Sequence, residues 1–167
     1  DSDVSCFGGT NGQATASASG GTPSGTAPFY SFSWNTTPTQ TTKTATGLSA
    51  GTYTVTITDA AIPSCSPIFA SVTITEPSPV IVTGVTADVD CYGNSTGGIN
   101  LTVSGGIGTY TYQWSNFATT EDVIGLPFGP YNVIVTDNII CSSTYFYTIF
   151  EPSLLASSLN VTPVTCN

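Results

Sequence analysis

Gly47-Leu48-Ser49-Ala50-Gly51-Thr52-Tyr53-Thr54-Val55-Thr56-Ile57-Thr58-Asp59 decides the fold, because the chain says it again as Gly125-Leu126-Pro127-Phe128-Gly129-Pro130-Tyr131-Asn132-Val133-Ile134-Val135-Thr136-Asp137. After each tyrosine the apolar residues recur at every second position, the period of a β-strand with one buried face. Before each tyrosine stand two glycines four residues apart, which admit positive φ at a tight hairpin without steric cost. The phrase therefore reads as turn plus strand, written twice.

The duplication extends outward in both directions. Trp34 in Phe29-Tyr30-Ser31-Phe32-Ser33-Trp34 answers Trp114 in Tyr110-Thr111-Tyr112-Gln113-Trp114, and Ser19-Gly20-Gly21 answers Ser104-Gly105-Gly106. Val4-Ser5-Cys6-Phe7-Gly8 answers Val89-Asp90-Cys91-Tyr92-Gly93, and each copy closes on a cysteine followed by Glu-Pro-Ser, Cys65 to Ser78 and Cys141 to Ser153. A third copy opens at Val164-Thr165-Cys166. The offset shrinks from 85 residues at Cys6 and Cys91 to 75 at Glu76 and Glu151, so the repeat is a folded unit with variable loops rather than a solenoid turn.

In the second copy, extended segments are expected at Val80–Val89, Gly97–Ser104, Tyr110–Trp114, near Glu121–Ile124, at Tyr131–Thr136 and at Tyr145–Phe150. Glycine, proline and asparagine punctuate the joins, and no window has a helical period. Six or seven short strands in a unit of this size indicate an immunoglobulin-like sandwich. The fold class is all-β: two tandem immunoglobulin-like β-sandwich domains, residues 1–78 and 79–153, plus the opening strand of a third repeat. Residues 154–167 read as linker and first strand of a following repeat, or as a donor strand to a neighbouring molecule. Trp34 and Trp114 are expected between the sheets, and Tyr53 and Tyr131 at tyrosine corners.

Composition narrows the function. Only 7% of the 167 residues are charged and the net charge is −9, against roughly a quarter charged in ordinary soluble domains. A phosphate-binding surface needs clustered lysine or arginine, and Lys43 stands alone, so nucleic acid and anionic lipid are disfavoured as partners. No apolar run approaches the roughly 20 residues that span a bilayer, so no membrane insertion is expected.

Five cysteines at repeat-equivalent places read as a disulfide framework of an oxidising compartment. The simplest pairing is within repeats, Cys6–Cys65 and Cys91–Cys141, leaving Cys166 for a following repeat. Each bond would close about 50–60 residues and contribute roughly 3–4 kcal/mol in the chain-entropy description. Zinc is the rival reading. It fails for want of histidine and of four ligands per copy.

Catalysis is not expected: without histidine or a repeated lysine, proton transfer would fall to carboxylates or tyrosines, and no nucleophile elbow or phosphate loop is present. No cofactor is called for. Calcium is the more credible use of the acids, with Asp59, Glu76, Asp88 and Asp90 as weak candidates near the repeat junction; solvated acids and turn caps are the plainer account. Exposed aromatics that stack on sugar rings have Tyr30, Tyr110 and Tyr112 as candidates. Asn35, Asn94, Asn100 and Asn160 head Asn-x-Ser/Thr sequons.

The ordered set Val-x-Cys-(Phe/Tyr)-Gly, Ser-Gly-Gly, Tyr-x-(Phe/Tyr)-x-Trp, Gly-Leu, Gly-x-Tyr-x-Val-x-(Ile/Val)-Thr-Asp, Cys and Glu-Pro resembles the SprB-type repeat, twice over. The first copy departs from the pattern by insertions between Gly21 and Phe29 and at Ala60-Ala61-Ile62-Pro63. The resemblance implies a very large cell-surface protein of Bacteroidota, a gliding-motility adhesin among them, exported by the type IX route, with no catalytic residues to carry over. The expected function is thus a non-enzymatic, extracellular, structural and adhesive segment of an adhesin or filament. Its partners would be adjacent repeats or copies of itself. The alternative is a carbohydrate-binding module array that takes surface glycans on its exposed aromatics.

Overall fold

A computed structural model describes residues 1–21, 29–59 and 66–160. The chain folds as two compact units. Unit 1 comprises Asp1–Val80 with Gly105–Thr109 and Asp137–Cys141, and unit 2 comprises Ile81–Ser104, Tyr110–Thr136 and Ser142–Asn167. Two loops of the second sequence repeat therefore belong to unit 1. Among the described residues every regular element is a strand.

Among its described residues unit 1 has five strands: β1 (Gly12–Thr15), β2 (Tyr30–Trp34), β3 (Thr44–Leu48), β4 (Gly51–Asp59) and β5 (Ile68–Ile74). They form two antiparallel sheets, β1-β3 and β2-β4-β5. β4 carries the opening phrase of the sequence, and its alternation works as read, with Val55 and Ile57 buried between less buried threonines. Trp34 lies opposite Val55 across the β2–β4 ladder. It joins Val4, Ala14, Ala16, Ala45, Leu48, Val55, Ile57 and Ile74 in one buried cluster. Full burial of such an aliphatic side chain contributes about 1.5–3 kcal/mol, so this cluster is what holds the small sheets face to face.

Unit 2 repeats the plan with one strand more. Its strands are β6 (Ile81–Ala87), β7 (Gly97–Ser104), β8 (Thr111–Trp114), β9 (Val123–Leu126), β10 (Gly129–Thr136) and β11 (Ser142–Ile149), ordered β6-β7-β9 and β11-β10-β8. Val82, Val89, Ile99, Leu101, Trp114, Val123, Leu126, Val133, Val135 and Ile149 are buried. The expectation of six or seven strands thus holds for the second repeat, while the first has five among its described residues. The missing element corresponds to β6. In unit 2, Ala87 pairs with Gly98 and the ladder runs on to Ile81 and Ser104. In unit 1 only its first rung is present, as an isolated bridge between Ser2 and Gln13. Beyond that rung the outer edge of β1 has no strand beside it among the described residues.

Both tyrosine corners are present. The Tyr53 hydroxyl donates to the carbonyl of Ser49 at 3.1 Å, and that of Tyr131 to the carbonyl of Pro127 at 3.0 Å, the backward bond that pins a sandwich corner. The tryptophans are fixed in the same paired way: the Trp34 indole N–H donates to the Thr42 carbonyl at 3.0 Å and that of Trp114 to the Thr120 carbonyl at 2.8 Å.

The Ser-Gly-Gly signature has a steric cause. Gly105 has φ +77°, and a Cβ built there would stand 1.9 Å from the Pro79 carbonyl oxygen. Gly106, at φ +61°, would place its Cβ 2.8 Å from Val80 and 2.9 Å from the Asp137 carboxylate. Gly105→Ala is therefore expected to destabilise the chain by more than the ~1–2 kcal/mol of the left-handed backbone alone, because a backbone carbonyl must also move. Urea unfolding of the variant checks this, and an unchanged midpoint refutes it.

Candidate functional site

The chemistry-bearing side chains gather in three places: the cysteine turns, the carboxylates that clasp them, and the loop from Asp137 to Cys141. The cysteine turns come first. Val-x-Cys is followed by a reversal in which the Gly9 amide donates to the Cys6 carbonyl at 2.9 Å and the Asn94 amide to the Cys91 carbonyl at 3.1 Å. A glycine next to the aromatic leaves its amide free to point outward, and a distant glutamate takes it. Gly8 donates to Glu76 at 2.6 Å and Gly93 to Glu151 at 2.9 Å. Just before each turn an aspartate accepts an amide from the residue preceding that glutamate, Thr75 on Asp3 at 2.7 Å and Phe150 on Asp88 at 2.9 Å. Main-chain bonds from Val4 to Thr75 and from Val89 to Phe150, both 2.9 Å, complete the clasp. The Glu-Pro-Ser signature is thereby explained: its glutamate closes the repeat on the turn that opened it.

The four calcium candidates resolve into separate structural tasks. Glu76 and Asp88 belong to the clasps just described. Asp90 accepts from the Thr96 hydroxyl at 2.7 Å and the Asn94 amide at 3.2 Å, and the first of these bonds chiefly holds its carboxyl below the ordinary carboxylate value. Asp59 lies at the end of β4, its Oδ2 2.7 Å from where a Cβ on Gly21 would be. Among the described residues no three histidine, cysteine, aspartate or glutamate side chains come together as a metal site.

Asp137, the counterpart of Asp59, is a residue that sequence reasoning passed over. It is buried and accepts the amides of Ile107 at 2.9 Å, Ile139 at 3.0 Å and Cys141 at 2.9 Å. Burial pushes its carboxyl up, but the amides of Ile107, Cys141 and Ile139 together outweigh that and hold it below the usual value. A sequence signal existed, since Gly-Gly and Thr-Asp occur together in both copies, and the second glycine leaves room for the carboxylate. A depressed folded-state value means that Asp137 contributes stability above the ordinary carboxylate range and loses it as pH falls through the depressed value. The expected result is a urea midpoint level from pH 7 to about pH 5 that falls below it, with the fall flattened in Asp137→Asn. An acid slope unchanged by that substitution refutes the assignment.

The same loop carries the correction to the disulfide framework. Cys6 is bonded to Cys141, with Cα atoms 5.6 Å apart and a sequence separation of 135. The within-repeat pairing of Cys6 with Cys65 and of Cys91 with Cys141 is overturned. Cys91 is an exposed free thiol, and Cys65 and Cys166 lie outside the described residues, as do the two insertions and the opening of the third repeat. The physical reason is placement. Asp137 folds the 137–141 loop so that Cys141 belongs to the same compact unit as Cys6, where its Sγ also lies 3.3 Å from the Ser5 carbonyl.

The candidate stacking residues are only half exposed. Tyr30, Tyr110 and Tyr112 are all intermediate in burial, and the Tyr30 hydroxyl donates to the Gly20 carbonyl. Burial, aided by Glu121, pushes the Tyr112 phenol up to about 12. The freely exposed rings are Tyr92 and several phenylalanines, among them Phe69 on β5 and Phe146 on β11. Of the sequon asparagines, all four are exposed. Asn35 accepts the Thr54 amide and Asn100 donates to Asp122, while Asn94 is bonded to Asp90.

Two sandwiches with intersheet tryptophans, tyrosine corners and a cysteine turn clasped by a carboxylate define a tandem of immunoglobulin-like domains. The SprB repeat, as a family model, matches residues 2–39 and again residues 83–119, each time from the cysteine turn past the core tryptophan. The SprB repeat model thus matches the chain twice, once in each sequence repeat. No curated protein matches it. Among solved structures, the N-terminal four Ig domains of Dscam1 isoform 6.9 are similar over 75% of this chain and 38% of that one, at 15% identity and a TM-score of 0.35. A structure describing the basis of Dscam isoform specificity is similar over 90% and 42%, at 12% identity and a TM-score of 0.34. The chain spans about two fifths of the length of these solved chains.

Proposed function

We propose that this chain is a non-enzymatic structural and adhesive segment of a large bacterial cell-surface protein, displayed outside the cell as part of a repeat array. The observation that carries the reading is the duplication of the whole bonding plan. Core tryptophan, tyrosine corner, cysteine turn and glutamate clasp recur in both repeats with the same partners. A plan repeated in this way suits length and stiffness, since each added unit brings the same fold. In this reading its partners are adjacent repeats or further copies of this chain. Filament formation and a part in gliding motility rest on the SprB resemblance and belong to the same proposal.

The test places the chain between an outer-surface anchor and an epitope tag on intact cells. The expected result is an epitope that antibody reaches and that survives broad-specificity protease, with no retention on a glycan array and no turnover across a hydrolase panel. Turnover of any substrate overturns the reading. Glycan binding lost in Tyr30→Ala, Tyr110→Ala or Tyr112→Ala replaces it with the carbohydrate-binding one.

A further inference from the structure

We propose that the first cysteine of each repeat bonds the second cysteine of the repeat that follows it, which makes the exposed Cys91 thiol the attachment point for a next repeat of the same kind. The proposal rests on the tandem-array reading above and adds to it a covalent rule. Two independent observations carry it. The first is the bond itself: Cys6, the first cysteine of repeat 1, is joined to Cys141, the second cysteine of repeat 2. The second is that Cys91 occupies the same built environment as Cys6. Its turn has the same backbone reversal, the same glycine amide on a Glu-Pro-Ser glutamate, and the same aspartate clasp three residues before the cysteine. Only the sulfur differs, bonded in Cys6 and free and exposed in Cys91.

The partner that repeat 2 would offer is already taken, because Cys141 is joined to Cys6. Translating the observed bond by one repeat leads from Cys91 to the second cysteine of a third repeat. The tail's Val164-Thr165-Cys166 is the sequence that opens such a repeat. The step is an ordinary oxidation. Two thiols give up two protons and two electrons to a disulfide oxidant, itself reduced to thiols, and one S–S bond forms. In an array the closed loops then overlap, each bond spanning the cysteine from which the next one starts. Tension along the chain would be carried across every joint by a covalent link.

The test keeps the full chain and continues it after Asn167 with a second copy of residues 93–153, so that Asn167 stands where Tyr92 does and the added segment supplies one further cysteine. After folding with oxidised glutathione, alkylation and non-reducing peptide mapping, the Cys6–Cys141 bond should persist. Cys91 should be bonded to the added copy of Cys141. Alkylatable thiols should fall by one relative to the unextended chain, although a cysteine has been added. Cys91 found alkylated, or bonded to any other cysteine, overturns the rule. A second measurement needs no third repeat: in the unextended chain, Cys6→Ser should expose the Cys141 thiol and leave Cys91 reduced. Formation of a Cys91–Cys141 bond in that variant would restore pairing within the repeat and sink the proposal. Neither readout involves adhesion, glycan binding or turnover, so the bonding rule and the functional reading fail separately.

Discussion

Opening the Cys6–Cys141 bond lowers the stability of the chain by up to about 5 kcal/mol in the chain-entropy description. The figure follows from the sequence separation of 135 that the bond spans, more than twice the span of either within-repeat pair expected from sequence. The comparison is the native chain against Cys6→Ser with Cys141→Ser in urea, with reductant as the matching treatment. A mechanical measurement reads the same bond. Pulled from its ends, the oxidised chain keeps the spanned residues out of the path of force. Reduction should then release up to ~3.6 Å per residue, on the order of 480 Å of additional length. A midpoint and an extension that are both indifferent to reductant would refute the connectivity.

Trp114→Ala costs about 3–5 kcal/mol, the range for truncating a large buried aromatic. Trp114 is 2% exposed, pairs with Val133 across the β8–β10 ladder and stands 6.3 Å, ring to ring, from Tyr147. Tyr147 in turn lies over Gly84, where a Cβ would come within 2.5 Å of its ring. Removal of the indole thus empties the centre of a stack that no neighbour can refill without moving. It also leaves the Thr120 carbonyl without its 2.8 Å donor. Chemical unfolding followed by far-ultraviolet circular dichroism measures the loss, and Trp34 remains as a fluorophore in unit 1. A loss below about 1 kcal/mol, the worth of a single hydrogen bond, would mean that Trp114 is not the keystone of its sandwich.

These two expectations differ in how early they could be formed. The role of Trp114 was legible in the sequence. It sits at the end of an alternating aromatic stretch, recurs as Trp34, and strand periodicity alone turns it inward. The tyrosine corners were equally legible, because a glycine turn and a tyrosine at fixed spacing make a local bond, four residues apart, that needs no knowledge of the rest of the fold. Strand ends were less so. The short strand expected near Glu121–Ile124 runs instead over Val123–Leu126, since its limits are set by pairing with β7 rather than by its own residues. The carboxylates were legible as residues but not as partners. Glu76 and Asp88 looked like loose acids near a junction, yet each accepts a backbone amide from the far end of its own repeat, 68 and 62 residues away.

By itself, then, the sequence determined that the protein is all-β, that it is built twice from one plan, and which side chains fill the two interiors. All of these follow from local periodicity and from repetition. The tertiary structure alone decided which cysteines meet, which distant amides Glu76 and Asp88 accept, and what Asp137 holds in place. Each depends on points far apart in the chain arriving together, and residue spacing carries no record of that.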